Sequence, residues 1–114
     1  CSELYIFWAQ SPLTSDWTPH SLNPVYVDPT VARNGGLLSD KTDIYRVAQS
    51  VGFTKYGESA SIMRINTLTP ESFSEVKVSS LTSDFLASAE ATHHLHSNSV
   101  VTAFDFCSSK RISN

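Results

Sequence analysis

Residues 34–78 contain four successive runs of β-type sequence joined by short polar turns, and no other feature of the chain restricts its fold so strongly. Arg33-Asn34-Gly35-Gly36-Leu37-Leu38 opens the series, and its two glycines permit a sharp backbone or a close approach by another group. Residues 39–43 read as a polar turn, after which Ile44-Tyr45-Arg46-Val47-Ala48-Gln49 alternates well enough for a strand. A connection with two further glycines covers residues 51–57. In residues 58–68, Ile62, Arg64 and Asn66 alternate with Ser61, Met63, Ile65 and Thr67, and Thr69-Pro70 ends the run. Phe73-Ser74-Glu75-Val76-Lys77-Val78 alternates strictly, which puts Phe73, Glu75 and Lys77 on one face and Val76 and Val78 on the other. Runs this close in sequence pair as antiparallel neighbours.

The flanks are weaker copies of the same pattern. Leu4-Tyr5-Ile6-Phe7-Trp8 reads as a strand buried on both faces. A polar turn over residues 11–16 leads to Trp17-Thr18-Pro19-His20, a short extended piece that Pro19 assigns to a sheet edge. Asn23-Pro24 and Asp28-Pro29 punctuate a long loop. Residues 79–91 are the one stretch with helical character: Ser83 or Asp84 caps a turn over Phe85-Leu86-Ala87 with Glu90 inside it, giving a turn or a short helix at most. Residues 92–95 and 100–106 are the last expected strands, with a turn over residues 94–98 and a loose polar tail over 108–114.

The expected fold class is therefore all-β. Four antiparallel strands in sequence order make one blade of a β-propeller. Residues 28–80 would form the complete central blade, 1–27 the end of the preceding one, and 81–114 the start of the next plus a tail. A lone four-stranded sheet exposes both faces, so the remaining blades of the same propeller, or self-association, are the expected partners. The chain opens at Cys1 within a β-type run, which fits a fragment or a processed product.

Composition removes several classes of function. Charged residues are 17% of the chain, against about 25% in ordinary soluble domains. Net charge is −3, the basic residues are scattered, and Lys110-Arg111 is the one adjacent pair, so there is no nucleic-acid footprint. No apolar run approaches the roughly 20 residues of a membrane span. The two cysteines, Cys1 and Cys107, either join the two ends by a disulfide or remain two small unpaired hydrophobes. No Asn-x-Ser/Thr sequon occurs.

Trp17-Thr18-Pro19-His20-Ser21-Leu22-Asn23-Pro24-Val25 resembles the "W-x-P-H-P-x-N-P-V" segment of five-bladed sugar-active propellers of the furanosidase type. It is more similar still to the propeller domain of the glucosamine inositolphosphorylceramide transferase family and its bacterial relatives fused to formyltransferase-like domains. Further segments come in that family's order: Ala32-Arg33-Asn34-Gly35-Gly36, Ile44-Tyr45-Arg46-Val47-Ala48-Gln49-Ser50, Tyr56-Gly57, Ile65-Asn66-Thr67-Leu68-Thr69 and Thr92-His93-His94. The chain departs from the pattern at Asn34, where the family has Pro, at Leu37, where it has Arg, and at Ser50, where it has Asp. The resemblance implies a carbohydrate-active or glycosyltransferase-associated propeller that binds or processes a sugar or glycoconjugate. It implies a Golgi lumenal setting for a eukaryotic transferase and a cytoplasmic one for a formyltransferase-fused bacterial protein. A non-catalytic sugar-binding or protein-interaction module on the same scaffold is the alternative, and an unrelated small β-domain is a third.

Glycoside hydrolysis needs two carboxylates across one bond. Glu58, at the head of a strand, is the weak catalytic candidate; its plainer role is a solvated strand end. Asp28 before Pro29 fits an Asx turn, Glu75 a surface pair with Lys77, and Asp105 a water-facing position between Phe104 and Phe106. Arg33, Arg46, Gln49, Tyr56 and His93 form the best ligand-binding set. Arg and Gln offer paired hydrogen bonds to hydroxyls or phosphate, and Tyr56 offers a ring to a pyranose face. Their plainer role is a structural network between blades. Arg33, Arg46, Gln49 and His93 are expected to cluster at one end of the sheet, although Arg46 and Gln49 are three apart and face opposite ways unless a bulge intervenes. His94 and His96 would share a strand face, but no acid or cysteine at metal-like spacing joins them, so no metal site is assigned. No nucleophile motif, phosphate-binding glycine loop or cofactor signature is present.

Overall fold

The computed structural model describes residues 2–51, 59–82, 84, 89–92 and 94–108. Among them there is no α-helix. Four short strands come first: β1 (Glu3–Leu4), β2 (Phe7–Trp8), β3 (Thr18–Pro19) and β4 (Tyr26–Val27). The central meander is β5 (Arg33–Ser39), β6 (Ile44–Ser50), β7 (Ser59–Leu68) and β8 (Phe73–Leu81). Four more short strands close the series: β9 (Ala89–Ala91), β10 (Leu95–Ser97), β11 (Thr102–Phe104) and β12 (Cys107–Ser108).

The meander is one antiparallel sheet in the order β5-β6-β7-β8, as the alternation in residues 34–78 requires. β6 runs against β7 without a shift of register, whereas β5 is irregular between Asn34 and Gly36 and β7 between Ile62 and Met63 and again between Ile65 and Thr67. Asp40 closes the β5–β6 turn. Its Oδ1 accepts the amides of Thr42 (2.8 Å) and Asp43 (2.7 Å), and its Oδ2 accepts the Tyr45 hydroxyl at 3.0 Å. These bonds hold the Asp40 carboxyl at about 2, below the usual aspartate range.

Alternation gives the sheet two faces. One carries Leu37, Arg46, Met63, Ile65 and Glu75; the other carries Arg33, Val47, Gln49, Ala60 and Ile62. The Arg46 face meets the N-terminal segment, through the Tyr26 ring and the Val31 carbonyl. The Val47 face meets β10. There Gly36, at φ +136°, lies so near Leu95 that a Cβ on it would sit 2.5 Å from the Leu95 carbonyl oxygen. The close approach expected of the glycine pair is thus an approach by backbone. Where both faces are covered the sheet is dry: Val47 and Ala48 are fully buried, and Ala32, Ala60 and Met63 nearly so.

Three expectations are corrected. Residues 4–8 are not one strand buried on both faces: Tyr5, Phe7 and Trp8 are 50%, 53% and 37% exposed. At Ile6 the pairing is irregular: its amide donates to Asn23 Oδ1 at 2.8 Å, while its carbonyl accepts both Asn23 Nδ2 at 2.7 Å and the His20 amide at 2.9 Å. The helical stretch does not include its ends, since residues 79–81 complete β8 opposite residues 60–62 and Glu90 lies in β9; Ser83 and residues 85–88 fall outside the described residues. The last hairpin turns at residues 98–101 rather than 94–98, because His96 pairs with Ala103 and Ser97 with Thr102, while Asn98 Oδ1 caps the amides of Val100 and Val101 at 2.8 Å each. Pro19 does sit in a two-residue edge strand, paired with Phe7. Cys107 is an exposed free thiol in β12, and Cys1 lies outside the described residues.

Candidate functional site

Arg33 and Gln49 are direct cross-strand partners at the end of the meander where β5 begins and β6 ends. Gln49 is 4% exposed and Arg33 is half-buried. Their side chains share the Val47 face, the side on which β10 packs. The expected grouping of Arg33 with Gln49 is therefore present. Tyr56, His93 and Glu58 lie outside the described residues.

Arg46 does not join them. With no bulge in β6, its side chain leaves from the opposite face, about 10 Å along the strand from Gln49. It is buried and bound in both directions. Nε donates to Glu75 Oε2 at 3.0 Å, and Nη2 donates to Glu75 Oε1 at 2.5 Å and to the Val31 carbonyl at 2.7 Å. The Glu75 side chain is wholly buried, so this acid is not half of a surface pair with Lys77. Phe73, on the same strand face, was the signal: an aromatic there marks the inward side, and Glu75 shares it. The Tyr26 ring lies 5.9 Å from the guanidinium and meets Phe73 edge-on at 6.1 Å. Burial, then the Glu75 carboxylate, raises the Tyr26 hydroxyl above its ordinary value. The remaining Arg46 nitrogen, Nη1, is buried with no hydrogen-bond partner among the described residues.

Arg46 also forms part of a mainly apolar cleft of about 300 Å³, walled by Tyr5, Phe7, Leu37, Leu68 and Phe73 and rimmed by Asn34. The cleft separates the N-terminal segment from the sheet. Its polar content is small, and Glu75 neutralises its one charged wall residue.

The Trp17-to-Val25 motif does structural work. His20 is 3% exposed; its Nδ1 accepts the Leu22 amide at 3.1 Å, so Nε2 carries the proton and donates to the Thr69 carbonyl at 2.7 Å. His20 pins the N-terminal segment to the β7–β8 turn, and Asn23 pins Ile6. Sequence alone singled out this motif but not its task, because both partners are backbone atoms far away in the chain.

The other carboxylates are committed as well. Asp28 forms an Asx turn, as expected, accepting the Thr30 amide at 2.8 Å and hydroxyl at 2.7 Å. The Thr30 hydroxyl, then its amide, lowers the Asp28 carboxyl. Asp105 is half-buried rather than open to water, and its Oδ1 accepts the His94 amide at 3.0 Å. His94 precedes β10 and is not on a strand face with His96. Among the described residues no cluster of three metal-ligating side chains occurs, and no helix is long and apolar enough to cross a membrane.

Comparison with known proteins adds a family. A family model described as "Glucosamine inositolphosphorylceramide transferase 1, N-terminal" matches residues 1–103. Two rice proteins, from Oryza sativa subsp. japonica and subsp. indica, each named "Glucosamine inositolphosphorylceramide transferase 1", are each 39% identical to the chain over 80 residues. That is 68% of this chain and 10% of each relative, so the chain spans about a tenth of the length of the curated relatives it matches. No solved structure matches.

Proposed function

The chain belongs to the family of the N-terminal part of glucosamine inositolphosphorylceramide transferases, and on that premise we propose that it is a sugar- or glycoconjugate-binding segment of a β-propeller. Residues 28–80 form the complete blade, 1–27 end the one before, and 81–114 begin the one after. A four-stranded meander in sequence order, with a different neighbour on each face, supports that division.

One observation carries the binding role: the direct pairing of Arg33 with Gln49 at one end of the face that also carries the buried Val47 and Ala60. Two planar hydrogen-bonding groups side by side suit the vicinal hydroxyls of a sugar. Tyr56 and His93 are further ligand-binding residues in the proposed reading, while Arg46 belongs to the structure of the blade.

In this reading the segment binds, and it is not competent for catalysis by itself. Asp28 is spent on a turn, Glu75 on Arg46 and Asp105 on the His94 amide. A glycosyl transfer or hydrolysis assisted by carboxylates draws them from elsewhere in the whole protein, with Glu58 as this segment's remaining candidate. The sugar is that of the family's name, a glucosamine-type residue, and the acceptor class is an inositolphosphorylceramide.

The test is titration of the full-length protein with glucosamine, N-acetylglucosamine and vesicles carrying inositolphosphorylceramide. Gln49→Ala and His93→Ala are expected to weaken binding severalfold with little change in melting temperature. Unaltered binding together with a lowered melting temperature would assign both residues to the structural network and end this reading.

A further inference from the structure

We propose that Asn34 is a site of spontaneous covalent modification, in which its carboxamide is lost to attack by the Gly35 backbone nitrogen. The chain has five asparagines, and their surroundings separate them sharply. Asn23 precedes Pro24, which has no N–H to deprotonate, and both ends of its amide are held on Ile6. Asn98 accepts the amides of Val100 and Val101, and Ser99 is its C-terminal neighbour. Asn66 accepts from Arg64 Nε at 3.3 Å and precedes β-branched Thr67. Asn114 has no residue after it.

Asn34 differs on each count. The next residue is Gly35, whose missing side chain leaves the approach of its nitrogen to Asn34 Cγ unhindered. Asn34 is exposed, on a strand that among the described residues is hydrogen-bonded to a partner strand on one side only. The ladder shifts register between Asn34 and Gly36, so Gly35 is the extra residue and the backbone is released there from strict pairing. Asn34 Oδ1 accepts the Gly36 amide at a long 3.4 Å. That contact turns the carboxamide toward Gly35 and Gly36 and draws electron density from Cγ.

The chemistry balances without a co-reactant other than water. The Gly35 nitrogen loses its proton and bonds to Asn34 Cγ. The Cγ–Nδ2 bond breaks, and ammonia leaves with that proton. Water then opens the cyclic imide at either carbonyl, giving aspartate or isoaspartate. Each product puts a carboxylate on the lining of the cleft that also holds Arg46, and isoaspartate also lengthens β5 by one methylene opposite Ala48.

The experiment incubates the full-length protein at mildly alkaline pH and tracks each asparagine by peptide mass mapping, with isoaspartate detected enzymatically. Conversion at Asn34 well ahead of Asn66 and Asn98 is expected. Asn34→Gln should remove the converting peptide without disturbing the fold, and Gly35→Ala should slow conversion severalfold. Asn34 surviving as long as Asn66 and Asn98, in a protein whose melting curve shows it folded, would overturn the assignment.

Discussion

Arg46 reaches over β7 to grip Glu75 on β8, two strands away, with both partners shut off from solvent. The pair ties the middle of the sheet to its edge, and through Val31 to the segment that covers it. Buried ion pairs cost much in desolvation, and removing one partner strands the other charge. Glu75→Gln should therefore lower stability by about 3–5 kcal/mol in chemical denaturation, while Arg46→Met combined with Glu75→Leu should lose far less. A Glu75→Gln protein within about 1 kcal/mol of the parent would show the charge to be solvated in solution.

Gly36 faces the Leu95 carbonyl with no room for a methyl group and at a φ that L-residues avoid. Gly36→Ala should cost about 1–3 kcal/mol and loosen β10 from β5. Amide exchange would read this as faster exchange in residues 95–104 than in β6 and β7. Uniform destabilisation of all strands would mean that the contact is not local.

Asp40 supplies a pH dependence of definite sign. Its folded-state value of about 2 lies below the reference of 3.8, so the folded form binds protons less readily. The stabilisation is present above about pH 4 and disappears as pH falls through about 2. Melting temperatures of the parent and Asp40→Asn should differ at pH 6 and converge on acidification. A constant gap across that range would remove Asp40 from the acid response.

Asn23 holds Ile6 at both its amide and its carbonyl. Asn23→Ala should cost about 1–3 kcal/mol, the penalty of leaving the Ile6 amide unpaired, while the Ile6 carbonyl keeps the His20 amide. The loss should concentrate in the N-terminal segment: hydrogen exchange would speed up at Ile6 and Val25 before β6. Unchanged exchange at Ile6 would contradict this role.

The 114-residue chain alone carries many half-bare large apolar side chains, among them Phe7, Trp17, Leu37, Val76 and Val78. Surfaces of this kind associate. Sedimentation velocity across a concentration series should show growing oligomers. A single monomeric species throughout would count against the multi-blade proposal.

The four long strands were legible because period-two alternation is local, and so was the glycine approach at Gly36. The features that escaped the sequence depend on partners distant in the chain. Glu75 looked like a mate for Lys77 because the two share a strand face, while its true partner is 29 residues away. His20 and Asn23 were visible as a motif, yet their partners are backbone atoms of Thr69 and Ile6, which carry no residue-specific signal. Apart from β3, the two-residue strands were misjudged for a related reason: so short a pairing is set by the contacts that hold its neighbours, not by its own pattern. The conflict of parity between Arg46 and Gln49 was readable in advance, and an unbulged β6 resolves it by dividing the set between two faces.

That division has a consequence for assembly. The meander's two faces are not interchangeable: one is shaped to receive the N-terminal segment, the other the strands on its C-terminal side. In the proposed propeller, contacts between such units are heterologous, each joining unlike surfaces, and so they cannot be satisfied by a simple two-fold pair. Repetition of a heterologous contact has two outcomes, a closed circle or an open stack, and the small rotation from one sheet to the next decides between them. In the proposed propeller, substitutions at Gly36 or Tyr26, which set how closely each neighbour approaches, would therefore act on the number of blades as well as on the stability of any one of them.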